Sequence, residues 1–220
     1  MLGYLKRYRR WGVVYFKPPT EIIVPHDPQL LIRYDANWSG DKDCRSISAY
    51  IMSVHAPWEI ANGFKTGNFP IGNVLTAVSR RQQGFVADST EAAETYCAVE
   101  AAKTNEWARD KLDDSKATQL QPTPMLGDNA STTISGHNGQ ISQKTRHNAR
   151  KTQYLRNERA KKSLDFFHIP TDTNYSNQGT KLEAPAEFIR NRSRTMRSAI
   201  NTIDYTTVNH NVSELDHESD

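Results

Sequence analysis

Residues 88–112, DSTEAAETYCAVEAAKTNEWARDKL, carry apolar side chains at helical spacing, and the rest of the chain must be arranged around them. Ala93, Cys97, Ala101, Ala108 and Leu112 recur at steps close to a helical turn, with Tyr96 and Trp107 beside them. Asp88 followed by Glu91 has the form of a capping box and predicts a helix that begins just after Asp88. Glu94 then falls within the first two turns. The helix dipole alone favours a carboxylate there, so this stretch by itself establishes no chemistry.

A chain of 220 residues with 36% hydrophobic content can fill one compact core of about 150 residues with extensions. Cys44 and Cys97 offer neither a disulfide framework nor paired zinc spacing, which points to a reducing compartment. The seven histidines have no H-x-x-x-H or C-x-x-C companion, which argues against a structural zinc site. No apolar run approaches the length of a membrane span, and Met1 is not followed by a signal-peptide pattern, so an intracellular location, cytoplasmic or nuclear, is expected.

The net charge of +3 conceals segregation. Residues 1–18 carry Lys6, Arg7, Arg9, Arg10 and Lys17 and no acid. Residues 141–164 carry Lys144, Arg146, Arg150, Lys151, Arg156, Arg159, Lys161 and Lys162 against Glu158 alone. Residues 201–220 are acidic and free of Lys and Arg, and read as a disordered tail. Basic blocks of this kind suit phosphate contacts, although a solvated helix face explains the same charges.

Taken in order, the chain predicts a short helix ending near Gly12, a strand VVYF, and a proline-punctuated connector. A strand from Leu30 to Tyr34 then delivers Asp35 at its end, and residues 46–54 alternate as a second strand. Residues 58–73 read as a long loop, and residues 74–87 as a third strand broken at Gly84. After the central helix come a polar linker over 113–121 and a short strand ending at Asp128. Asn129 or Ser131 caps a short helix, and residues 145–163 form a basic helix. LDFFHIP is a compact strand, residues 171–180 are turn-rich, and residues 181–199 form a last helix interrupted at Pro185. Consecutive strands can pair as an antiparallel meander, and strands separated by helices can join in parallel. The expected fold is therefore α/β, a mixed sheet flanked by helices. Its strand ends and helix start can bring Asp35, Glu94 and Asp128 together. Clustered carboxylates call for a cation, and hard oxygen ligands select magnesium or manganese. Two such ions about 4 Å apart can support phosphodiester hydrolysis.

Eight segments then bear a resemblance to one family, in order. Asp35-Ala36-Asn37-Trp38-Ser39-Gly40-Asp41 resembles D-A-D-W-A-G-D, and Arg45-Ser46-Ile47-Ser48-Ala49-Tyr50 resembles R-S-T-S-G-Y. Ser79-Arg80-Arg81-Gln82-Gln83 resembles K-S-K-K-Q, and Ser89 to Lys103 resembles S-T-T-E-A-E-Y followed by E-A-A-K. Pro122-Thr123-Pro124 with Asp128-Asn129 resembles P-x-P-x-x-x-D-N, and Thr145-Arg146-His147 resembles T-K-H. Ile169-Pro170-Thr171 with Thr180-Lys181 resembles V-P-T followed by T-K, and residues 2–15 resemble L-R-Y-L-K-G-T…G-L-x-Y. These are motifs of the ribonuclease H domain of copia-type retrotransposon polyproteins, preceded by the end of the reverse transcriptase. The resemblance covers about residues 2 to 195.

It implies a ribonuclease H-like mixed five-stranded sheet over 29–200, with residues 1–28 a remnant of the reverse transcriptase connection and 201–220 the acidic tail. It implies cleavage of the RNA strand of an RNA–DNA hybrid by two-metal hydrolysis, with Mg2+ or Mn2+ held by Asp35, Glu94 and Asp128. Lys144, Arg146, Arg150, Lys151, Arg156 and Arg159 would hold phosphates, and the reverse transcriptase of a parent polyprotein would be a partner. The departures are specific. Counting back from Thr180-Lys181 puts Asn177 where the family has its fourth catalytic aspartate, and Ala149 replaces another family aspartate. No Y-x-D-D motif is present, so the expected origin is a fragment of a decayed copy. Two functions therefore compete: an impaired ribonuclease H, and a catalytically dead remnant with weak nucleic-acid binding.

Overall fold

The computed structural model describes residues 29–39, 43–69, 72–84, 86–137 and 148–181, together with Trp11, Gly12, Ala186, Arg197 and Ser198. A five-stranded mixed sheet forms the centre. Its strands are β1 (Gln29–Asn37), β2 (Ile47–His55), β3 (Asn73–Arg81), β4 (Thr123–Gly127) and β5 (Leu164–His168), in the spatial order β3-β2-β1-β4-β5. The first three pair antiparallel, and β4 and β5 join parallel to β1 and to each other. The expected mixed five-stranded sheet flanked by helices is therefore met.

The connections explain these directions. An antiparallel pair sets no minimum on its link, whereas a parallel strand needs a crossover, here supplied by α2 (Thr90–Asp114) and later by α3 (Ala130–His137) and α4 (Ala149–Ala160). α2 packs on one face through Ala92, Ala93, Cys97, Ala98, Ala101 and Ala102, all buried against Leu30, Ile32, Tyr34 and Ala36 of β1 and Tyr50 and Met52 of β2. Side chains this small let the helix backbone approach the sheet closely. On the other face Leu31, Leu126 and Ile169 pack with Ile60 and Phe69. Burying each such Leu, Ile or Phe contributes about 1.5–3 kcal/mol.

Several boundaries differ from the sequence reading. β1 runs through Asp35 to Asn37 rather than stopping at Tyr34, and β3 ends at Arg81 rather than breaking at Gly84. α2 is capped by Ser89, whose side chain accepts from the Ala92 N–H at 3.2 Å; Asp88 and Glu91 do not form the expected box. The segment expected to be one long loop contains a helix, α1 (Pro57–Thr66). Pro57 opens it, Glu59 accepts from the Ala56 N–H at 2.8 Å, and Gly67 ends it with φ +72°. The basic helix is shorter than expected, Ala149–Ala160. Gly12 and Arg197 pair as strand residues, where the sequence pattern placed helix. Asn129 does cap α3, accepting from the Thr132 N–H at 3.1 Å. Apart from these positions, the proposed reverse transcriptase remnant, the last helix and the acidic tail lie outside the described residues.

Gly127 sits at the end of β4, one residue before Asp128, where an added Cβ would lie 2.5 Å from the Tyr34 ring. Tyr34 is fully buried and cannot swing away. Gly127→Ala should therefore cost about 1–3 kcal/mol through overpacking, read as a lowered thermal midpoint. An unchanged midpoint would show that the strand end yields freely.

Candidate metal and catalytic site

Three elements converge at one end of the sheet. β1 and β4 pair in parallel with Ile32 beside Met125 and Arg33 beside Leu126, and continuing that register sets Asp35 level with Asp128. β4 stops at Gly127, and the Ala36 N–H of β1 donates instead to Glu94 Oε1 at 3.1 Å. The alanine face of α2 permits this reach. One carboxylate oxygen from each of Asp35, Glu94 and Asp128 lies within 4.8 Å of the others. The gathering anticipated from the order of elements is thus present.

The electrostatics are those of crowded acids. Burial, and then the neighbouring Asp35 and Asp128 charges, push the Glu94 carboxyl well above the usual carboxylate range. Its bond from Ala36 and the charge of Lys181 oppose this shift only in part. Burial likewise raises the Asp35 carboxyl, opposed mainly by a hydrogen bond from Thr180 and also by Lys181. Glu94 Oε2 is buried with no hydrogen-bond partner. A buried carboxylate oxygen left unpaired is costly, and the donor set is entirely hard oxygen. These residues therefore fit a divalent cation such as Mg2+ or Mn2+.

Asn177 does not reach the acids through a hydrogen bond. Its amide Nδ2 donates to the Thr171 carbonyl at 2.8 Å, and its buried Oδ1 has no partner. The side chain that meets Asp35 from this segment is Thr180, whose hydroxyl donates to Asp35 Oδ2. Residues 171–180 lie over the sheet end as two short 3-10 turns, held by Asn174 Nδ2 on the Tyr34 carbonyl at 2.9 Å and Asn37 Nδ2 on the Thr180 carbonyl at 3.2 Å. Sequence reasoning used Thr180-Lys181 only as a counting mark, because neither residue type signals a role at a carboxylate site.

The basic residues divide. Arg150 is exposed on α4. Lys151 Nζ lies 5.6 Å from the Tyr96 ring centroid, and its charge interacts with Asp88. Arg156 Nε donates to the Ser135 carbonyl at 3.0 Å, and Arg159 pairs with Asp165 at 2.7 Å, so these two also tie α4 to its neighbours. Lys144 and Arg146 lie outside the described residues. No helix among the described residues is long and apolar enough to cross a membrane.

Solved structures that match the chain include a ribonuclease H1 isolated from compost by a metagenomic approach, at 15% identity and TM-score 0.45 over 69% of this chain and 92% of that one. Ribonuclease H1 from the halophilic archaeon Halobacterium salinarum matches at 10% identity and TM-score 0.45, over 67% and 90%. The foamy viral protease-reverse transcriptase, solved in complex with an RNA/DNA hybrid, matches at 13% identity and TM-score 0.42, over 80% of this chain and 22% of that one. No family model and no curated protein matches the chain.

The raised Glu94 carboxyl carries a pH consequence. The folded state holds the Glu94 proton more tightly than the unfolded chain does, so without metal its contribution is most favourable below about pH 4.3 and declines as pH rises toward the elevated folded value. Glu94→Gln removes that decline and can keep the Ala36 bond through its amide oxygen. In EDTA the variant should be more stable than the parent near pH 7, with the gap closing toward pH 4, as read by thermal melts. A gap independent of pH would contradict this origin.

Proposed function

We propose that this chain is a ribonuclease H-like nuclease domain of copia-type retroelement origin, acting on the RNA strand of RNA–DNA hybrids, with hydrolysis impaired. The observation that carries this reading is the convergence of Asp35, Glu94 and Asp128 around the partnerless Glu94 Oε2. The three acids would hold Mg2+ or Mn2+. Bound there, the ion would supply charge neutralisation at a phosphodiester and a more acidic water. The protein's own contribution is placement. The Ala36 N–H fixes Glu94, the Thr180 hydroxyl fixes Asp35, and the β1–β4 register fixes Asp128. Impairment rests on Asn177, because an amide contributes no charge and accepts no proton where the resemblance expects an aspartate. The free thiols of Cys44 and Cys97 suit the intracellular setting proposed here, and a parent reverse transcriptase is the proposed protein partner.

A second reading, a catalytically dead remnant that binds nucleic acid weakly, is favoured by one observation. Asn177 donates its amide to Thr171, and the contact that residues 171–180 make with Asp35 is the hydroxyl of Thr180.

A magnesium-dependent cleavage assay on a labelled RNA–DNA hybrid decides between them. The expected result is slow cleavage of the RNA strand, reduced by more than about 100-fold in Asp35→Asn, Glu94→Gln or Asp128→Asn. Asn177→Asp should raise the rate at saturating magnesium and lower stability in EDTA, since it buries another unpaired charge. A folded, hybrid-binding Asn177→Asp protein with an unchanged rate would reject 177 as the fourth position. No cleavage by either protein would favour the dead remnant.

Hybrid binding should weaken steeply with salt and ignore base sequence, because phosphate contacts release counterions. Reversing Arg150 and Lys151 to Glu should lower affinity at least about tenfold at low salt and flatten the salt dependence, measured by fluorescence anisotropy. Unchanged affinity would remove α4 from the interface.

A further inference from the structure

Trp38 is held in place yet left open. Its indole Nε1 donates to the Ala87 carbonyl at 2.9 Å, while 47% of the residue remains exposed. It follows β1 directly, three residues after Asp35, in a turn where Ser39 takes a left-handed φ of +52°. Few non-glycine residues adopt that conformation, and here the Ser39 N–H is tied to Ser46 Oγ at 3.3 Å. Such strain persists only where the surroundings enforce it, and it concentrates at working sites. Ala87, to which the indole is tied, belongs to the apolar cluster that α2 forms with the sheet. That residue immediately precedes Asp88 and the Ser89 cap of the helix that carries Glu94. Lys151 arrives at the same helix start from α4, interacting with Asp88 and the Tyr96 ring.

We propose that Trp38 is a stacking platform for one nucleoside of the nucleic-acid strand bound beside the carboxylate site, with Lys151 serving the adjoining phosphate. This inference rests on the nuclease reading above and deepens it. A base or sugar face packed on a rigid aromatic is worth enough to be measured, and it is sequence-tolerant because every nucleoside has such a face. The indole's hydrogen bond holds the ring orientation before binding, so little freedom is lost when a nucleoside settles on it.

The test uses the full chain carrying Asp35→Asn, so that hybrid is bound without being cut, and a fluorescent 12-base-pair RNA–DNA hybrid at low salt. Trp38→Ala should weaken binding about tenfold or more, and Trp38→Phe should retain affinity within about threefold, because the aromatic face survives without the indole N–H. Equal affinity of Trp38→Ala and its parent overturns the platform and leaves the nuclease reading standing. A parent that binds no hybrid defeats both. Should Trp38→Ala fail to fold, the emission difference between the parent and Trp38→Phe isolates the Trp38 signal. Hybrid should then shield that signal from iodide, and an unshielded signal overturns the proposal.

Discussion

The close seating of α2 on β1 is the contact on which the rest of the site depends. It exists because the buried face of the helix is built from Ala92, Ala93, Cys97, Ala98, Ala101 and Ala102. A leucine at any of these positions would push the helix outward, since cores this tight do not absorb added methylenes without backbone shifts. The Glu94 side chain is short, and its Oε1 touches a backbone N–H of the sheet itself. Helix–sheet distance, and with it the carboxylate spacing, is therefore set by alanine packing well below the site. The hydrophobic effect contributes less here than in a leucine-rich core, and what the small residues supply is proximity.

That proximity has an energetic consequence. Glu94 is buried, has one partnered oxygen and one orphan, and faces two further acids. The upward displacement of its carboxyl shows that burial and like charge outweigh the Ala36 bond. Without a cation, the crowded carboxylates would carry a local destabilisation at the place where the chemistry is proposed. Natural proteins tolerate such conflicts at functional sites and compensate elsewhere, here through two apolar clusters on opposite faces of the sheet.

Much of this was legible in the residues. The apolar run that opens β1, the alternation in β2, the long helical period of residues 90–114 and the apolar LDFFH strand were strong signals, and the order of the elements implied the mixed sheet. The gathering of Asp35, Glu94 and Asp128 followed from that order. α1 was not legible, because glycines and a proline around 57–73 read as breakers, although Pro57 opens and Gly67 closes a real helix. The cap of α2 was misplaced by one residue, since Asp88 and Ser89 are both good caps and only the geometry selects the one whose oxygen reaches the Ala92 N–H. Thr180 was invisible because its bond to Asp35 spans 145 positions, a separation that no local pattern encodes.

The segment 171–180 also bears on how many cations the site can hold. Three carboxylates meet there, and Lys181 adds a positive charge that both Asp35 and Glu94 feel. Three acids against one ammonium leave two formal negative charges, which one divalent ion neutralises. A second ion would leave the cluster positive unless phosphate oxygens balanced it, and that would make its retention depend on substrate. An aspartate in place of Asn177 shifts the same balance by one charge toward two ions. On the proposed reading, the amide at 177 and the ammonium at 181 would act in the same direction, both favouring a single cation over the pair that efficient phosphodiester hydrolysis uses.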